Sequence, residues 1–190
     1  MPEVVGIGIQ DFEEIRVMKN FYVDKTAFIE EWWETNNKVT LVTRPRRFGK
    51  TLNMSMLNCF FSNKYSDRGD LFEKLYIWKN EKYQKLQGIY PVISLTFAGI
   101  KPNSYAKFLE NMKILINNLY LQFQFLQQSQ NLSPIEKKQL SYFSDFENNL
   151  SEVEIEYAIY QLCICLQKHF EKKVIILLDE YDTPMQEAYV

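Results

Sequence analysis

The sequence predicts an α/β fold, a parallel sheet flanked by helices, and three observations lead there. The β-branched run Val39-Thr40-Leu41-Val42-Thr43 feeds a loop that closes on Gly49-Lys50-Thr51 and opens into an amphipathic stretch, giving strand, loop and helix in that order. A second apolar run, Val174-Ile175-Ile176-Leu177-Leu178, is bounded by charge and fits a central strand buried on both faces. Strand-like runs alternate with stretches whose apolar residues recur at three-then-four spacing, the pattern of a parallel sheet with helical crossovers.

Composition narrows the function classes. The 190 residues are 46% hydrophobic and 15% aromatic, enough to bury the core of one domain or most of one. With 22 basic against 24 acidic side chains the formal net charge is −2, which argues against nucleic-acid binding by bulk charge. No apolar run approaches a membrane span and the N-terminus lacks a basic-then-apolar leader, so a cytoplasmic protein with no membrane partner is expected. Cys59, Cys163 and Cys165 are odd in number and lie in apolar surroundings, so they read as small buried hydrophobes, not as a disulfide framework or metal site. The lone His169 stands near a helix end, where a histidine interacts with terminal carbonyls.

Along the chain, Asp11 and Glu14 have the spacing of a helix N-cap box, leading into a short helix to about Met18. Phe21-Tyr22-Val23 reads as extended, and Asp24 is placed to cap a helix with Phe28, Ile29, Trp32 and Trp33 on one face. Asn36 and Asn37 turn the chain into the 39–43 strand. After Lys50, Leu52, Met56, Cys59 and Phe60 recur at helical spacing. Ser66 to Asp70 marks a surface loop, Leu71 to Ile77 a turn or two of helix, and the stretch to Gly88 is polar. Pro91 to Phe97 predicts a strand, with Pro91 where a missing N–H is tolerated. From Ser104 the apolar spacing runs to Leu126 as the clearest long helix. Ser133-Pro134-Ile135-Glu136 and Ser151 with Glu154 announce two more helices.

The strand-loop-helix unit is that of a P-loop NTPase-type sheet, with a Walker A-type loop. Gly49 lets the backbone approach a phosphate, the first amides of the helix point at the anion, Lys50 reaches the β/γ-phosphates, and Thr51 offers its hydroxyl to Mg²⁺. In the general loop the first glycine would stand at position 44, which is Arg44, and the remaining triplet alone recurs by chance in roughly one chain in ten. Support comes from the other end. Two adjacent carboxylates closing a buried strand, Asp179 and Glu180, are costly unless a ligand needs them, and ligands of open α/β sheets bind at that edge. Asp179 then holds Mg²⁺ beside Thr51, and Glu180 polarises a water for attack on the γ-phosphate, as a Walker B-type strand end does. The plain alternative is a strand that stops on reaching solvent.

Tyr22-Val23-Asp24-Lys25-Thr26, Arg44-Pro45-Arg46-Arg47-Phe48-Gly49-Lys50-Thr51, Tyr90-Pro91-Val92-Ile93 and Leu178-Asp179-Glu180-Tyr181-Asp182-Thr183-Pro184 resemble the AAA-ATPase-like family of bacterial P-loop proteins, from about Gly8 onward. The arginine-rich form of the loop is itself characteristic of that family. The resemblance implies ATP and Mg²⁺ as ligands. The nucleotide-binding residues are then Arg44, Pro45, Arg46, Arg47, Phe48, Gly49, Lys50 and Thr51, with Thr51 and Asp179 on the metal and Lys50 and Glu180 catalytic. Tyr22, Asp24 and Lys25 join the nucleotide site through the string they share with the family, unless Asp24 only caps the next helix.

The family's P-loop domain is usually followed by a nuclease-like domain of the PD-(D/E)xK superfamily, the one in-chain partner implied. Glu171-Lys172-Lys173 spells Glu-x-Lys but precedes its strand, so it reads as a solvated helix end and no nuclease is assigned. Similar P-loop proteins place a further strand between the P-loop strand and the acidic strand. The sheet over residues 1–190 is therefore expected to be incomplete at the C-terminus. The stretch alone should bind nucleotide weakly, without turnover, and be poorly soluble, whereas the longer protein is competent. The function expected is an ATP-binding, ATP-hydrolysing module of a longer protein. The alternative is a nucleotide-dependent switch or interaction module without useful turnover, which Arg44 in place of glycine favours. A nucleic-acid site on Arg44, Arg46 and Arg47 is less well served, since a cluster this close to Lys50 suits the phosphates of one nucleotide.

Overall fold

Capping chemistry sets most of the helix starts. The computed structural model describes residues 5–6, 8–43 and 48–184, in two units, 1–92 and 93–190. In the first unit, helix α1 (Phe12–Val17) begins where the Asp11 carboxylate accepts from Glu14 N at 2.8 Å. Helix α2 (Ala27–Thr35) ends at Asn36 in the left-handed conformation, and helix α3 (Lys50–Phe61) follows the loop. Three short 3-10 turns, Asn63–Tyr65, Gly69–Phe72 and Tyr76–Lys79, lead to helix α4 (Glu81–Gln84). That helix falls in the stretch that reads as polar. Its anchors are Tyr83 and the nearby Leu86, both buried, too few apolar residues to show a period.

The core of this unit is aromatic. Phe12, Phe60, Phe61 and Phe72 are fully buried. Phe12 stacks on Phe72 with centroids 5.1 Å apart, Phe60 meets Phe72 edge-on at 5.1 Å, and Phe61 contacts Trp32 and Trp33 at 5.1 and 5.5 Å. Polar ties reinforce the packing of α1 on α3, because Ser55 Oγ accepts from Phe12 N at 2.9 Å and donates to Asp11 Oδ2 at 3.2 Å.

The strand expected over Val39–Thr43 is not formed. Those residues are irregular, with Val39 and Leu41 86% and 61% exposed. An extended run becomes a strand only when a neighbour completes its ladder. Among the described residues of this unit the one strand-like pairing is a parallel bridge between Ser62 and Tyr90.

In the second unit, strands β1 (Val92–Thr96) and β2 (Ile175–Asp179) pair in parallel as a two-stranded sheet, extended by a bond from Phe97 N to Asp179 O at 3.0 Å. Between them come helices α5 (Tyr105–Leu121), α6 (Pro134–Ser144) and α7 (Glu152–Phe170). Both expected capping boxes form, at Ser133 with Glu136 and at Ser151 with Glu154. Helix α5 stops short of Leu126, and a 3-10 turn, Gln124–Gln128, continues to bury that residue. Ile93 and Leu95 of β1 pack with Ile116 and Leu119 of α5, Leu140 and Phe143 of α6, and Leu162 and Leu166 of α7.

Strand β2 is not the doubly buried central strand expected. Leu177 is buried while Ile176 and Leu178 are 43% and 40% exposed, because among the described residues of this unit the helices pack on one face of the sheet. Cys59 and Cys165 are buried, Cys163 is partly buried, and all three are free thiols. His169 Nδ1 lies 2.8 Å from Ser129 Oγ, and it is Asn131 Nδ2 that donates to the helix-end carbonyls of Lys168 and His169, the contacts expected of the histidine. Among the described residues no helix is long and apolar enough to cross a membrane.

Glu136 joins the start of α6 to α7 by accepting from the Lys168 ammonium at 2.6 Å. That bond, with those from Ser133 N and Oγ, lowers its pKa from 4.5 to about 2. Because the folded value is depressed, its contribution to stability is fully present above about pH 4.5 and is lost as pH falls towards 2. Acid denaturation of Glu136→Gln is expected to show a shallower loss of stability across that window than the native chain. Parallel slopes would remove Glu136 from the acid response.

Candidate functional site

Helix α3 starts under a glycine that turns left-handed. Gly49 has φ 75° and ψ 28°, a conformation that costs a residue with a Cβ about 1–2 kcal/mol and glycine little. Asn53 N donates to Gly49 O at 2.9 Å, so the amides of Lys50, Thr51 and Leu52 precede the helix's own bonding pattern. No side chain caps this turn and no acidic residue lies in it. The positive end of the helix dipole therefore carries Lys50 as its first residue, with no built-in anion to offset it. Lys50 and Thr51 are half-buried and Phe48 is exposed. One residue further in, Asn53 is buried and its Oδ1 has no hydrogen-bond partner among the described residues.

A second cation reaches the same turn. A Cβ placed on Gly49 would stand 3.3 Å from Lys25 Nζ, so the ammonium occupies space that a side chain at 49 would contest. Lys25 is held there through its neighbours. The Tyr22 ring packs edge-on against Phe12 at 5.3 Å, its hydroxyl donates to Met56 Sδ of α3 at 3.2 Å, and it accepts from Lys25 N at 3.4 Å. Burial pushes the Tyr22 phenol up to about 12, so it remains a donor at neutral pH.

Asp24 uses both carboxylate oxygens on the protein. Oδ1 accepts from Thr26 N and Thr26 Oγ1 at 2.9 and 2.7 Å, and Oδ2 accepts from Tyr76 N at 2.7 Å. Thr26 Oγ1 in turn accepts from Ile77 N at 3.1 Å. Burial works to raise the Asp24 pKa, but the bonds from Thr26 and Tyr76 and the Arg16 charge outweigh it and hold the carboxyl below its ordinary value. Asp24 is therefore not the helix cap its sequence position suggests, since the N-cap of α2 is Thr26 and no side chain bonds the first turn. It fixes Thr26 ahead of the helix and ties it to the 3-10 turn at Tyr76. Thr26, Met56, Tyr76 and Ile77 complete this support. Partners 34 to 52 residues away along the chain leave no local signal in the sequence.

The acidic pair belongs to the second unit. Asp179 closes β2 and is half-buried; Glu180 is exposed and has a positive φ of 53°. Glu180 O accepts from Thr183 N at 3.0 Å, and its carboxylate accepts from Thr183 Oγ1 at 3.2 Å. The structure therefore brings Lys25 to Gly49, the residue before Lys50 and Thr51, in one unit, and sets Asp179 and Glu180 together at a strand end in the other. Arg44, Pro45, Arg46 and Arg47 lie outside the described residues.

A family model described as "Predicted AAA-ATPase" matches residues 6–190, which takes in the 22–26 segment, the Gly49 turn and the acidic strand end. The chain belongs to the AAA-ATPase-like family. No curated protein and no solved structure matches it. In this AAA-ATPase-like chain, Asp24→Asn keeps one acceptor but sets an amide donor against either Thr26 or Tyr76. A stability loss of about 1 kcal/mol is expected in urea denaturation, and a larger one for Asp24→Ala. Native stability in both variants would contradict the tethering role given to Asp24.

Proposed function

We propose that this chain is the ATP-binding, ATP-hydrolysing P-loop module of a longer protein. The observation that carries the reading is the uncapped, acid-free start of α3 at Gly49-Lys50-Thr51, in a chain whose family is described as an ATPase. The free amides of that turn and the Lys50 ammonium bind the β- and γ-phosphates. Arg44, Arg46 and Arg47 add positive charge, and Pro45 and Phe48 complete the nucleotide-binding set.

Thr51 and Asp179 are the residues that would each offer an oxygen to Mg²⁺. A hydroxyl and a carboxylate are oxygen donors, which suit a hard cation that keeps several waters and takes its other ligands from phosphate. When bound, Mg²⁺ neutralises charge on the phosphates. Glu180 accepts the proton of the attacking water as its oxygen bonds to the γ-phosphorus and the bond to the β–γ bridging oxygen breaks. In the longer protein the implied partner is a nuclease-like domain, in a bacterial cytoplasm.

One observation favours the alternative, a nucleotide-dependent switch without useful turnover: Thr183 Oγ1 donates to one oxygen of the Glu180 carboxylate, which stabilises the charged form and weakens it as a base. Titration with a fluorescent ATP analogue and phosphate-release assays on the longer protein separate the readings. Lys50→Ala is expected to abolish binding without lowering the melting temperature. Glu180→Gln should bind normally and release phosphate about 100-fold more slowly or worse. Unchanged affinity in Lys50→Ala would remove the P-loop reading, and tight binding with no phosphate release in the native protein would favour the switch.

A further inference from the structure

The Gly49 turn concentrates positive charge without an internal partner. The described ion pairs join Arg68 to Glu13 and Asp70, Lys82 to Glu34, Lys107 to Glu110 and Lys168 to Glu136; none involves Lys25 or Lys50. The nearest acid in sequence to Lys25 is Asp24, and both of its oxygens are committed to Thr26 and Tyr76. The Lys25 ammonium and the N-terminal end of α3, whose first residue is Lys50, therefore meet at one glycine with like sign. Ordinarily a lysine relieves such repulsion by swinging its flexible stem into water. Here the backbone it hangs from is held on both sides, by the Tyr22 hydroxyl and by the Asp24–Thr26 clamp, and the ammonium lies beside Gly49.

We propose that Lys25 is a second phosphate-contacting cation of the nucleotide site, delivered to Gly49 from outside the 44–51 loop, with Tyr22 and Asp24 as its positioning residues. This rests on the nucleotide-binding reading above and divides the 22–25 string into parts. Asp24 makes no ligand contact, Tyr22 anchors the segment on α3, and Lys25 meets the anion. The glycine at 49 then serves two purposes, since it accepts the left-handed turn and leaves open the space in which the ammonium and a phosphate oxygen meet. Because the contact is with charge, Lys25 favours the ligand with more phosphate, a nucleoside triphosphate over a monophosphate.

Isothermal titration of the full chain with ATP, AMP and inorganic tripolyphosphate tests this in Lys25→Met, Lys25→Arg and Lys50→Ala, with urea denaturation of each. Lys25→Met is expected to weaken ATP and tripolyphosphate by the same factor, about 10- to 100-fold, to narrow the ATP-over-AMP preference, and to keep native stability. Lys25→Arg should recover most of the loss. If Lys25→Met binds ATP as the native chain does while Lys50→Ala does not, the role given to Lys25 is overturned and the nucleotide site stands. A loss in Lys25→Met that tracks a loss of stability, or that falls equally on AMP, also overturns it. If Lys50→Ala binds like the native chain, the nucleotide reading itself fails.

Discussion

The first unit depends on the burial of the C-terminal half of α3. Met56, Leu57, Cys59, Phe60 and Phe61 are removed from water, and the rings of Phe12, Phe72, Trp32 and Trp33 close around them. Each fully buried ring of this size is worth about 1.5–3 kcal/mol. The combined packing fixes the rotation and height of the helix, and that in turn fixes where its first turn points its amides. A start with Lys50 at its head, no cap and no acid is electrostatically poor. It persists because α3 cannot rotate or unwind to relieve it without opening the aromatic core.

The same constraint explains the Phe21–Thr26 segment. Tyr22 is anchored on α3 through Met56, and Asp24 and Thr26 are anchored on the Tyr76–Lys79 turn. An exposed lysine between two such anchors would gain nothing from them, whereas one whose ammonium reaches Gly49 does. The second unit shows a related economy at its acidic end. The turn after β2 accepts a left-handed backbone at Glu180, and Thr183 occupies both the carbonyl and the carboxylate of that residue. The unfavourable conformation is thereby stabilised locally, and the carboxylate is kept in one place.

What the sequence made legible follows the range of the interactions. Asp11, Ser133 and Ser151 each bond an amide three residues on, so their signatures are local and the helices begin where those residues require. Gly49-Lys50-Thr51 was equally readable, because a left-handed glycine followed by a helix is written in three adjacent residues. The strand over 39–43 was not, since a β-branched run records a preference and a ladder needs a neighbour that the run does not encode. Strand β2 was recognised but its burial misjudged: Ile176 and Leu178 are apolar on a face that nothing in the described second unit covers. The place of Lys25 was beyond local reading altogether. The string around it stood out, but that Asp24 turns to Thr26 and Tyr76 while Lys25 turns to Gly49 depends on partners far along the chain.

If the start of α3 receives the phosphates of a nucleotide, its first amides must respond to the ligand. The most direct measurement is the ¹H–¹⁵N spectrum of the isotopically labelled chain during titration with ATP and then with tripolyphosphate. The account predicts that the amide signals of Gly49, Lys50 and Thr51 move most with both ligands, as N–H groups do on gaining an anionic acceptor, while those of Phe60 and Phe61 in the buried half of the same helix stay in place. Amides at 49–51 that remain still at ligand saturation, or that move no more than those of Phe60 and Phe61, would contradict it.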